Sequence, residues 1–105
     1  MKYAIPTLTA LSLVAVGTVA VAAARHGYVG QSLAPQARVT MAQARSIALR
    51  AHPGRVTDAE LERERGGTGL RYSFDIRSGG RTFEVGVDAA SGAVLENKAE
   101  GPHPD

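Results

Sequence analysis

The chain has 105 residues, with 12 Lys and Arg against 10 Asp and Glu, and no cysteine. That length holds one small domain at most, and without cysteine it has no disulfide staples and no thiolate metal site. The arginines are spread singly and do not interleave with aromatics, which argues against nucleic acid as a partner.

Met1-Lys2-Tyr3 is a short positive start, and Ile5 to Ala24 carries no charge and ends in Ala22-Ala23-Ala24. This is the layout of a secretory signal peptide, residues 1–24, cleaved after Ala24 or Ala22. The alternative is an uncleaved anchor, because about 20 apolar residues can span a bilayer. Both readings export the remainder, periplasmic or secreted, and tie it to the membrane only if the segment is retained. Residues 25–38 hold two glycines and Pro35 without sustained periodicity and read as a tether. Tyr28, Val29 and Leu33 are the residues that could instead dock on the core.

A helix signal opens the domain expected over residues 39–96. Thr40 is a good N-cap, and Gln43 three residues later completes a capping box. Ala44, Ile47, Ala48 and Ala51 form a narrow apolar stripe, while Arg45 and Arg50 lie off it. His52-Pro53-Gly54 stops the helix, since Pro disfavours helical geometry at the residue before it.

Three alternating strands follow. Val56–Arg65 and Leu70–Arg77 flank Gly66-Gly67-Thr68-Gly69, and a four-residue loop there sets Ala59 opposite Ile76, Leu61 opposite Phe74 and Arg63 opposite Tyr72. Gly79-Gly80 suits a two-residue hairpin turn, which sets Ile76 opposite Phe83, Phe74 opposite Val85 and Tyr72 opposite Val87. The two turns agree on one apolar face, and a one-residue slip would break that agreement. On the other face this register pairs Glu64 with Arg71 and Asp58 with Arg77, and lines up Glu60, Asp75 and Glu84 in one like-charged row. Such a row costs stability unless a cation or a partner group neutralises it. Asp88–Gly92 is a turn, Ala93–Glu96 a fourth short strand, and residues 97–105 a flexible tail. The layout is α+β, one N-terminal helix on a three- to four-stranded antiparallel meander.

Thr40-Met41-Ala42-Gln43-Ala44 with Ile47-Ala48, Pro53-Gly54, Tyr72-Ser73-Phe74-Asp75-Ile76, and Phe83 to Asp88 followed by Ser91-Gly92-Ala93-Val94-Leu95 occur in the order found in PepSY domains. The stretch from Val39 to Glu96 resembles that family, a small module of exported bacterial proteins and of metallopeptidase propeptides. The resemblance implies a non-catalytic domain that binds or restrains peptidases or serves as an accessory module at the cell envelope, and it carries over no catalytic residue.

The residues agree with that. His26, His52 and His103 share no metal-ligand spacing. Ser73, Ser78 and Ser91 have no His/Asp companions, and Asp88 reads as a turn former. No catalytic residue, metal or cofactor is expected. Glu60, Asp75 and Glu84 remain as the candidate contact for a protein partner, a peptidase being the partner class the resemblance suggests. The expected function is an exported binding domain that modulates a peptidase or another envelope protein through this face or through the edge of the Val56–Arg65 strand. The alternatives are a cation- or ligand-responsive accessory domain using the acidic face, and a membrane-tethered structural module.

Overall fold

A computed structural model describes residues Gly27–Gly101. The expected leader, residues 1–24, lies outside them. A short 3-10 helix, Gln31–Gln36, precedes α1 (Met41–Ala51), and four strands follow: β1 (Arg55–Arg63), β2 (Leu70–Ser78), β3 (Arg81–Asp88) and β4 (Val94–Ala99). The strands form one antiparallel meander in the order β1-β2-β3-β4, with α1 on one face. This is the expected α+β arrangement. Among the described residues no helix is long and apolar enough to cross a membrane.

The capping box at α1 is formed. The Thr40 hydroxyl accepts from the Gln43 amide at 3.1 Å, and the Gln43 side chain accepts from the Thr40 amide at 2.9 Å. Ala44 and Ala48 are fully buried, and their small side chains let the helix axis approach the sheet closely. Beneath them Leu61, Tyr72, Phe74, Ile76, Val85 and Val87 make the core. At the helix end His52 stacks on Phe83, ring centroids 3.9 Å apart, and its Nδ1 lies 3.2 Å from Asn97 Oδ1.

The β2–β3 register is the one the Gly79-Gly80 turn dictates, with Tyr72 opposite Val87, Phe74 opposite Val85 and Ile76 opposite Phe83. The β1–β2 register differs from expectation by two residues, so Leu61 faces Tyr72, Ala59 faces Phe74 and Arg63 faces Leu70. The loop is six residues long, Glu64 to Gly69, closed by Glu64 N–H to Gly69 O at 3.1 Å and Gly69 N–H to Gly66 O at 3.0 Å. A shift of two preserves which face each side chain takes, so the core is unaffected. The neighbours change, however. Arg63 reaches Gln36 rather than Tyr72, Asp58 faces Asp75 rather than Arg77, and Glu62 rather than Glu64 faces Arg71. A bulge between Val56 and Asp58 then brings Val56 opposite Ile76.

Two segments are more ordered than their composition suggests. Tyr28 and Leu33 pack against the core, and Val29 forms a parallel bridge to Glu60, its carbonyl accepting from the Leu61 amide at 3.0 Å. The edge of β1 is therefore partly covered by the chain's own Val29. Gly30, at φ 86, has no room for a side chain, because a Cβ would overlap the Leu61 carbonyl. At the other end Asn97, Lys98 and Ala99 belong to β4, and the Glu100 amide still donates to Thr82 O at 2.9 Å.

Candidate functional site

The turn after β3 fixes the end of the sheet. Asp88 is 1% exposed. Its Oδ1 accepts from the Thr68 amide at 2.7 Å and hydroxyl at 2.9 Å, and its Oδ2 from the amides of Ala90 and Ser91 at 3.1 and 2.8 Å. Burial alone would push its pKa up. The backbone and hydroxyl hydrogen bonds from Thr68 and Ser91 outweigh burial and hold the carboxyl well below the ordinary Asp value. With its oxygens saturated by the protein, Asp88 is a structural tie and not a ligand site.

Tyr72 is a second internal tie. Its hydroxyl donates to Val39 O at 2.6 Å. Burial, with Tyr28 alongside, pushes its pKa up to about 12. The phenol stays a neutral donor, and the aromatic pair serves the core.

The open face of the sheet holds most of the remaining charge. Its rows follow from the pairing: Asp58, Asp75, Glu84 and Lys98 lie side by side across the four strands, and Glu60, Ser73, Gly86 and Glu96 form the next row. Asp75 and Glu84 are thus direct neighbours, as the sequence indicates. Glu60 is not in their row. The six-residue loop moves it two places along β1, opposite Ser73, and puts Asp58 beside Asp75 instead.

Sequence reasoning put Asp58 on this surface but opposite Arg77 rather than Asp75, and missed Glu62, Glu96 and Glu100 there. The available signal was the period-2 charge pattern Glu96-x-Lys98-x-Glu100, which continues a strand through residues read as tail.

These carboxylates disturb one another. Asp75 is pushed up to about 6, first by burial, then by a hydrogen bond and like charge from Glu100, with Asp58 and Glu60 adding to it. Glu84 is raised by burial and by Glu96, Asp75, Glu100 and Glu62, and Glu60 by burial and by Glu62 and Asp58. Arg77 and Lys98 are exposed on this face, Lys98 pairing with Glu96 at 3.3 Å, and a further cation is buried in it. Arg71, its side chain 8% exposed, pairs with Glu96 at 3.2 Å and donates to Arg65 O at 3.0 Å. It lies over Gly86, where a Cβ would stand 3.0 Å from its guanidinium. Ser73 donates to Glu62 at 2.6 Å. Among the described residues no group of three or more His, Asp or Glu side chains is placed to hold a metal ion. The surface is an anionic slab with a partly dried centre, suited to meeting a cationic surface.

A sequence profile described as "Peptidase propeptide and YPEB domain" matches residues 38–98. No curated protein and no solved structure gives a match. The matched residues run from just before the capping box, through the hairpin and the Asp88 turn, to β4, and take in more than half of the chain. The chain belongs to the PepSY family.

Proposed function

We propose that this chain is an exported, non-catalytic binding domain that modulates a peptidase or another envelope protein through the open face of its sheet. The observation that carries this reading is the crowding of carboxylates on one sheet face, where Asp75 and Glu84 are direct neighbours and Asp75, Glu84 and Glu60 are each raised by burial and by carboxylates around them. A surface that holds like charges together at a cost to itself releases that cost when basic groups of a partner arrive. Asp58, Glu62 and Glu96 extend the contact, and Arg71 fixes Glu96 within it. Family membership supports the choice of a peptidase as the partner class.

The test is the residual activity of peptidases exported by the same cell, titrated with the purified protein. Inhibition or activation is expected, and Asp75→Asn with Glu84→Gln weakens it about tenfold or more, the loss typical of charge pairs at an interface. The same double substitution leaves the fold intact, because both side chains are on the solvent face. No effect on any co-exported peptidase, or an effect indifferent to the substitutions, overturns the proposal.

A further inference from the structure

The charge of the folded domain is divided between its two layers. Among the described residues there are nine Asp and Glu, and apart from buried Asp88 all belong to the open sheet face or its rim: Asp58, Glu60, Glu62, Glu64, Asp75, Glu84, Glu96 and Glu100. The helix side is the reverse. α1 contains no acidic residue, Arg45 and Arg50 are exposed on it, and exposed Arg38 lies just before it. Ser46 sits between the two helix arginines, about 100° from one and 40° from the other around the axis, so it marks the crest of this layer. The open sheet face also carries Arg71, Arg77 and Lys98 among its acids and is net anionic, whereas the helix side from Arg38 to Ala51 carries cations alone.

The route of the chain adds an independent observation. Gly27 lines a groove with Arg45 of α1 and with Val56, Asp58 and Ala59 of β1, so the described chain begins at the β1 edge, on the side where Arg45 lies. The charge-free run Ile5–Ala24 ends three residues earlier, with Arg25 in the link. That link reaches about 10 Å when fully extended. Whenever the apolar run is at a bilayer, the arginine side is held within reach of the headgroups.

We propose that the helix side of this domain lies on an anionic bilayer surface, with Arg38, Arg45 and Arg50 at the headgroups and the acidic sheet face turned away from it. Each arginine near such a surface favours association by about fivefold, and carboxylates there oppose it. A tumbling molecule of near-zero net charge gains little from the surface; one oriented in this way gains from Arg38, Arg45 and Arg50 while the carboxylates of the open sheet face are turned into solvent, where salt screens them. This orientation leaves the face assigned to a protein partner open to solvent.

Because the chain has no cysteine, single labels can be placed at will. Full-length protein carrying a fluorophore at Ser46→Cys or at Lys98→Cys is reconstituted into phosphatidylcholine vesicles with or without phosphatidylglycerol, with a headgroup-attached quencher. With anionic lipid, quenching at position 46 is expected to exceed that at position 98 by at least ~2-fold. The difference should vanish in Arg45→Glu/Arg50→Glu protein, and in unaltered protein once salt shortens the Debye length to about 3 Å. Equal quenching at the two positions, stronger quenching at 98, or a bias indifferent to charge and salt overturns the proposal. So does concentration-dependent association in lipid-free buffer that the same double substitution abolishes, because the arginine side then meets the acidic face of a second copy.

Discussion

Asp88 joins two loops that are 20 residues apart in sequence, since one oxygen holds Thr68 and the other holds the Ala90-Ser91 backbone. Its Asx turn is legible locally, because Asp followed by Ser91-Gly92 is turn chemistry on its own. The Thr68 bond is not, because nothing near Thr68 advertises an acceptor in a distant turn. That hidden bond accompanies a β1–β2 loop two residues longer than the glycines alone indicate. Removing the carboxylate leaves several buried amides and hydroxyls without an acceptor. Asp88→Ala should therefore cost about 3 kcal/mol or more in urea unfolding, with Thr68→Ala costing about 1 kcal/mol. An Asp88→Ala protein as stable as the parent would show that water replaces the carboxylate and that the tie is dispensable.

At the scale of elements, the hairpins divide by how completely local chemistry fixes them. Gly79 and Gly80 both take positive φ, 58° and 79°, in a two-residue turn, which leaves one register for β2 and β3. The loop between β1 and β2 has no such restriction, and alternation is blind to a shift of two. The core was therefore readable from Tyr72, Phe74, Val85 and Val87, while Glu60 was placed one row away from its true position. The segment before α1 was harder still. Leu33 and Tyr28 are single apolar residues without periodicity, and only the core they pack against explains them. Gly30 is the point where this segment touches β1, at positive φ and against the Leu61 carbonyl. Gly30→Ala should destabilise the segment by about 1–3 kcal/mol through left-handed strain and overlap. Amide exchange should then speed up selectively at Leu61, with Phe74 in the core unchanged. Uniform acceleration across the sheet would mean that this segment unfolds only with the whole domain.

For the whole molecule, two carboxyls with opposite shifts shape the response to pH. Asp75, raised to about 6, is destabilising when ionised. Its contribution is fully present below its unfolded value of 3.8 and is lost as pH rises through about 6. Asp88 is shifted the other way, so its contribution holds above 3.8 and is lost as pH falls from there toward its lower folded value. Thermal melting should accordingly peak near pH 4, where the Asp88 contribution is almost complete and the Asp75 loss has only begun. Asp75→Asn should raise the melting temperature at pH 7 and flatten the slope between about pH 4 and 6. A melting temperature that climbs steadily from pH 5 to 7, unaffected by that substitution, would contradict the assignment.

The meander also bears on the order in which the parts can form. Every strand pairs with its neighbour in sequence, so β2 and β3 can close their hairpin on a microsecond scale without waiting for anything else. Val29 belongs to a different class of contact, because its partner Leu61 lies 32 residues downstream and is a binding edge only once β1 has joined β2. A chain built or translocated from its amino terminus delivers this segment first and can fix it only late, after the sheet exists to receive it. The Val29 segment thus emerges before the strand it joins and settles after it, and until then the β1 edge is a bare template.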